Sequence, residues 1–360
     1  MPWDLLVSRS DLTDTTVRDT SPPSIAEGQA LLRVDRVGVT ANNVTYALFG
    51  DAMHYWDFFP APLEHGAGWG RVPLWGFAEV EQSRADGVEV GTRVFGYLPT
   101  SSHLVVTPGK VDAHSFRDMS EHRQHLPSPY NRLTTVAADA SYEAEFEDLQ
   151  ILFRPLFMTS FMLADFLTDN DLFGAGTVVL SSASSKTSYG TAHLLAGKAK
   201  RIGLTSGGNR AFTESLGCYE HVLTYDEVPQ LAQEPSVYVD VAGDPQLRQA
   251  VHEALGEQLL HSAVVGAAHA AARPTLEGGT QLPGPRPAFF FAPDQMRKRN
   301  ADWGPSGVED GHATAWAGFR PVVQDWVDVS VAAGPEGLQQ VWLEVLAGRT
   351  PPRTGHVVQL

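Results

Sequence analysis

The strongest constraint on this chain is a change of hydrophobic period part-way along it. Between residues 28 and 110 apolar and polar residues alternate, as in Ala30-Leu-Leu-Arg-Val-Asp-Arg-Val, Phe77-Ala-Glu-Val-Glu and Thr92-Arg-Val-Phe-Gly-Tyr. A period of two builds half-buried strands, and Gly28, Gly50, Asp86-Gly87 and Gly91 supply turns between them. From about residue 149 a helical run leads into Thr177-Val-Val-Leu-Ser, a continuous apolar segment suited to a strand covered on both faces. Similar segments recur at Arg201-Ile-Gly-Leu-Thr, His221-Val-Leu-Thr-Tyr, Val237-Tyr-Val-Asp-Val, Ala263-Val-Val-Gly and Phe289-Phe-Phe-Ala. Strands separated by helices or loops in this way imply right-handed crossovers and a doubly wound parallel sheet. The expected architecture is α/β, with a β-rich domain over 1–148 and 310–360 and a parallel-sheet domain over 149–309. The Gly- and Pro-rich stretch Arg273 to Pro287 reads as a loop, Trp303 to Trp326 as partly helical, and Gly337 to Leu346 as a helix. His356-Val-Val-Gln-Leu is the expected closing strand.

Charge and cysteine content narrow the functional classes. Against 42 Asp and Glu stand 26 Lys and Arg, a net charge of −16 that disfavours nucleic acid, whose recognition needs a concentrated basic face. Only Lys110, Lys186, Lys198, Lys200 and Lys298 are lysines, so each position matters. The single cysteine, Cys218, excludes an intrachain disulfide and any multi-cysteine metal site. Met1 to Ser10 lacks the pattern of a secretory signal. The most apolar helical stretch, Leu149 to Leu167, is interrupted by Arg154, Pro155 and Asp165 and reads as a packed helix of a soluble protein. A cytoplasmic location without membrane partners is expected.

Several segments, in order, resemble the medium-chain dehydrogenase/reductase superfamily, in its zinc-independent quinone-reductase and enoyl-reductase branches. Glu27-Gly-Gln-Ala-Leu-Leu-Arg-Val and Val37-Gly-Val-Thr-Ala-Asn-Asn are similar to the family's opening strands and active-site loop. Pro73-Leu-Trp-Gly-Phe-Ala-Glu-Val and Gly87-Val-Glu-Val-Gly-Thr-Arg-Val-Phe-Gly resemble the strands that follow, with Thr92 in place of Asp. Gly348 to Leu360 resembles the closing strand. The resemblance implies a GroES-like β-rich catalytic domain, a Rossmann dinucleotide-binding domain, a small-molecule substrate and a homodimer, with the strand near Phe289 contributing to the interface. Thr40 and Phe77 stand where the zinc-dependent branch would have Cys and His, so no metal is expected. The His114, His122 and His125 group reads as solvated histidines in a polar loop, because no third ligand completes a site.

Ser181-Ser-Ala-Ser-Ser-Lys-Thr-Ser-Tyr-Gly190 follows the first parallel strand, where a dinucleotide pyrophosphate meets a helix N-terminus. Ser and Thr largely replace the usual glycines. Ser182, Ser184, Ser185, Lys186, Thr187, Ser188 and Gly190 are the candidate contacts; the alternative is a helix cap without a ligand. A nucleoside-triphosphate loop fails on spacing, since Leu180 and Ser185 occupy its glycine positions. Thr205-Ser-Gly-Gly-Asn-Arg210 ends the second strand without a carboxylate, so Ser206 and Arg210 are expected to hold the 2′-phosphate of NADP(H); the alternative is a turn with a solvated arginine. By the resemblance, Tyr225, Ala242, Gly243 and Gly266 complete the cofactor contacts, while Asp240 either belongs to this site or caps a helix. Cys218 reads as a packed small residue.

Without a metal, hydride transfer to a carbonyl or activated alkene requires hydrogen bonding to the substrate oxygen and a proton source. The resemblance places those groups in Thr40-Ala-Asn-Asn-Val-Thr-Tyr46, giving Tyr46, Asn43 and Thr40 as candidates and Tyr55 as a further donor. Met53-His-Tyr-Trp-Asp-Phe-Phe-Pro60, with Trp69 and Trp75, either lines a pocket or forms a hydrophobic cluster under a loop. Two other functions stay open: a nucleotide-binding sensor without turnover, and a non-redox enzyme reusing the same barrel.

Overall fold

The computed structural model describes residues 1–265, 282–304 and 306–360. The chain divides into two compact units, Met1–Leu152 with Val327–Leu360, and Phe153–Trp326. The first boundary lies close to the expected one. The second follows Trp326 rather than residue 309, because the helix Gly307–Val323 buries Val308, Trp316 and Phe319 within the second unit, where Phe319 stacks on Phe157 at 4.7 Å.

In the first unit the strand Ala30–Val39 pairs antiparallel with Leu74–Ser83, His103–Val106 and Thr354–Gln359. The closing strand therefore inserts beside the opening one, with Val37 opposite Val358. Alternating burial in Ala30–Val39 is confined to its middle; Ala30 to Leu32 and Val37 to Val39 are buried without alternation. Gly76 is required by proximity, since a Cβ there would meet the Arg36 carbonyl at 2.1 Å. Helix α1, Ala41–Leu48, starts directly after Ala30–Val39.

Helix α2, Glu147–Asp169, runs from the first unit into the second. Among the described residues, 144–169 is the helical stretch long and apolar enough to cross a membrane; half of its apolar window is buried within the protein. Pro155 lies inside it, and Phe153 and Phe157 pack against Trp316.

Among the described residues the second unit has six parallel strands, in the spatial order His221–Thr224, Lys200–Thr205, Thr177–Leu180, Ser236–Asp240, Leu259–Val264, Ala288–Phe289. This is the doubly wound Rossmann order, in which the chain starts centrally and reverses direction between the first and fourth strands. The expected strands are all present, although the last covers two residues because Ala292 already begins a helix. Most of the loop expected over Arg273 to Pro287 lies outside the described residues.

Candidate functional site

Ligands of open α/β sheets collect beyond the carboxyl ends of the strands, where the strand order reverses. Here Ser181 links the two strands that flank that point. Its hydroxyl donates to Asp240 Oδ1 at 3.2 Å and accepts the backbone N–H groups of Val241 and Ala242, both at 3.0 Å. Asp240 is fully buried; Oδ1 also accepts the Gly243 N–H at 2.8 Å and Oδ2 accepts Arg248 Nε at 2.7 Å. Asp240 is thus a structural anchor, and the amides of Ala242 and Gly243 are spent on Ser181 and Asp240 rather than on a ligand. Gly266 lies outside the described residues.

The serine-rich turn splits into residues that build it and residues that line it. Ser188 is buried and donates its hydroxyl to the Ser181 carbonyl at 2.7 Å. Gly190 faces α2: a Cβ there would lie 2.8 Å from Ser160 Oγ, which donates to the Thr187 carbonyl. Both expected contacts therefore hold the turn together. Ser185 caps helix α3, Lys186–Leu194, by accepting the Ser188 N–H at 3.3 Å. That leaves the amides of Lys186 and Thr187, which precede any intrahelical bond. Ser182, at φ +50°, turns the backbone in a conformation that side-chain-bearing residues seldom adopt.

Lys186 is the electrostatic anomaly of the turn. It is the first residue of α3, where the positive end of the helix dipole disfavours a cation. Its ammonium lies over the Phe153 ring, 5.7 Å from the centroid, and burial pushes its pKa down to about 8, with no neighbouring charge contributing.

At the end of the second strand Asn209 donates to Ser184 Oγ at 3.1 Å, joining the two turns. The Thr205 hydroxyl is buried without a hydrogen-bond partner among the described residues, whereas Ser206 is exposed. Tyr225 is exposed with its hydroxyl beside the Ser182 amide. Arg210 departs from expectation. Its Nη1 donates to both carboxylate oxygens of Glu227, at 2.9 and 2.8 Å, and its Nε donates to Glu214 at 2.9 Å. The local sequence contains no carboxylate before Arg210, but the fold brings Glu227 across from the adjacent strand end. Arg210 is therefore a paired cation, not a free one.

These groups fit the phosphates of a dinucleotide at the first turn: two unspent amides, an uncompensated ammonium and an orphaned buried hydroxyl lie at adjoining strand ends. Among the described residues, no group of three metal-binding side chains is assembled. Cys218 is buried and its thiol is pushed up to about 12 by that burial, consistent with packing rather than nucleophilic chemistry.

In the first unit, the candidates of the α1 loop also divide. Asn43 Oδ1 accepts the Thr40 N–H at 2.7 Å and the Thr40 hydroxyl at 3.2 Å, and its Nδ2 donates to the Pro73 carbonyl at 2.9 Å. Together they close a capping box at the N-terminus of α1, so neither is free to polarise a substrate. Tyr46 differs. Its hydroxyl oxygen accepts Asn42 Nδ2 at 2.7 Å and Trp75 Nε1 at 3.2 Å, neither of which uses its own hydrogen. Burial raises its pKa well above the ordinary value, against the opposing hydrogen bonds of Trp75, Asn42 and Tyr97. Tyr46 is thus a proton-bearing group whose conjugate base has donors already in place.

Tyr46 sits in a cluster that the sequence order hides. Tyr55, Tyr97 and Tyr130 lie with ring centroids 4.6, 5.4 and 6.4 Å from its own. Tyr97 is buried, opposite Trp75 across the paired strands. The alternating pattern over Thr92 to Tyr97 marked that strand, but only its register brings Tyr97 against Trp75. Trp56, Phe58 and Phe59 are buried, so the aromatic segment is a hydrophobic cluster, with Phe58 packed on Tyr97 and Tyr130.

A family model described as "Protein of unknown function (DUF2855)" matches residues 37–351. None of the curated proteins matches the chain. Solved structures with the same fold include CurA from Vibrio vulnificus in complex with NADPH, at 13% identity and TM-score 0.60, covering 100% of this chain and 99% of that one. The yhdH oxidoreductase from Salmonella enterica in complex with NADP is 14% identical at TM-score 0.54, with 100% of both chains covered. The Etr1p/NADP/crotonyl-CoA complex is 10% identical at TM-score 0.58, covering 100% of this chain and 99% of that one. At these identities the likeness establishes the fold alone, a β-rich domain with a Rossmann domain.

Proposed function

This chain belongs to the DUF2855 family, and from that premise we propose that it is an NADP(H)-dependent, metal-independent oxidoreductase acting on a carbonyl or activated carbon–carbon double bond. The observation that carries the reading is Lys186, a half-buried ammonium at the positive end of a helix with no counter-ion among the described residues. A phosphate supplies what that arrangement lacks. The NADP(H) complexes of proteins with this fold, CurA and yhdH among them, support the choice of cofactor.

When bound, the cofactor supplies a hydride from its nicotinamide. The chain's own part is binding and proton management. Lys186 and the Lys186 and Thr187 amides hold phosphate oxygens, with Ser182 and Ser184 at the rim. In this reading Tyr46 would donate its hydroxyl proton to a substrate oxygen, and Asn42 and Trp75 would hold the phenolate oxygen that remains. The protein is read as a cytoplasmic homodimer.

Isothermal titration of the full chain with NADPH tests this. Saturable binding is expected, weakened about tenfold or more in Lys186→Met, as for loss of a charge-assisted hydrogen bond. No binding, or equal binding by the variant, overturns the assignment. A second reading, a dinucleotide-binding protein without turnover, draws support from the burial of Tyr46, Tyr55 and Tyr97. NADPH binding without oxidation across aldehydes, quinones and enones would favour it.

A further inference from the structure

We propose that Glu227 determines the choice between NADP(H) and NAD(H) by occupying Arg210. This rests on the dinucleotide reading of the second unit. Thr205 and Thr224 are opposite one another on adjacent parallel strands, so the turns that follow them are neighbours at the carboxyl edge of the sheet. Arg210 extends from one turn and Glu227 from the other, and they meet in a two-oxygen contact at 2.9 and 2.8 Å. Glu214, four residues on in the short helix Arg210–Ser215, takes the Nε–H. One cation thus faces two carboxylates where a ribose 2′-phosphate would need a cation of its own.

Glu227 is the better placed of the two carboxylates. Its side chain is 24% exposed against 52% for Glu214, and its Oε2 also accepts the Thr224 N–H at 2.9 Å, which fixes it through a capping box. A fixed, partly shielded anion repels a dianionic phosphate more than a mobile solvated one does. A ribose 2′-hydroxyl has the opposite preference, since it donates to a carboxylate. The Arg210–Glu227 pair therefore admits both dinucleotides and restrains the preference for the phosphorylated one.

The test uses dissociation constants for NADPH and NADH, measured by calorimetry on the full chain. Glu227→Gln retains an oxygen for the Thr224 N–H, so the cap survives, and circular dichroism melts check that it does. The expected result is NADPH binding about fivefold tighter with NADH unchanged or weaker, in line with the strength of an exposed ion pair. The gain should diminish at high salt and vanish in Glu227→Gln combined with Arg210→Met, while Glu214→Gln should give a smaller gain. An unchanged NADPH-to-NADH ratio in Glu227→Gln, or a gain that persists without Arg210, overturns the inference while leaving the dinucleotide site intact. Failure of wild type to bind either dinucleotide overturns the underlying reading as well.

Discussion

The Lys186 ammonium rests 5.7 Å above the Phe153 ring centroid, at the first position of a helix whose dipole opposes it. Burial lowers its pKa from the ordinary 10.5 to about 8, so folding disfavours the charged form. Below pH 8 both folded and unfolded chains hold the proton, and the cost of burying the charge is present in full. Between pH 8 and 10.5 the folded chain releases it first, so this contribution to stability improves as pH rises. Lys186→Met should therefore be more stable than wild type at pH 7, with the advantage shrinking toward pH 10.5. Urea unfolding at pH 7, 8.5 and 10 reads this difference; a variant that is less stable at pH 7 contradicts the account.

The Tyr46 hydroxyl carries a hydrogen of its own besides the bonds it accepts, so removing it should act on chemistry rather than on cofactor binding. Tyr46→Phe is expected to lower turnover on a verified substrate by about 100-fold or more, with NADPH affinity unchanged. Wild-type turnover in this variant would move the proton donor elsewhere in the cluster.

Asn43 makes the complementary prediction. Its amide closes the α1 capping box and reaches the Pro73 carbonyl, so Asn43→Ala should cost about 1–2 kcal/mol of stability. Turnover per folded molecule should stay within a few-fold of wild type. A large loss of turnover with unchanged stability would return Asn43 to the substrate.

The outer edge of the parallel sheet carries Phe289 and Phe291, 54% and 49% exposed and stacked at 6.1 Å. An open strand edge with exposed aromatic rings favours pairing with a second copy. Light scattering after size-exclusion chromatography should give a dimer for wild type and a monomer for Phe289→Lys combined with Phe291→Lys. A wild-type monomer at micromolar concentration would remove the homodimer from the reading.

Much of the fold was legible because hydrophobic period is a local property. The apolar runs at Thr177, Arg201 and Val237 suited strands covered on both faces, and their spacing left room for crossovers. The site was legible in part. The serine-rich turn and Lys186 were visible as a strand-to-helix junction, and Tyr46 as a hydroxyl in the loop after Ala30–Val39. The roles of Ser188, Gly190, Thr40 and Asn43 were not, because each is spent on a nearby backbone group or a facing helix.

The sequence by itself determined the two kinds of sheet, the turn chemistry between them and the scarcity of cations. Only the tertiary structure decided which polar groups remain available. Arg210 is taken by Glu227 from the neighbouring strand end, Tyr46 gains Trp75 from 29 residues away, and Tyr97 acquires a place in the tyrosine cluster through strand register. Availability of a donor or a charge depends on which distant partner the fold brings within about 3 Å, and no local pattern carries that information.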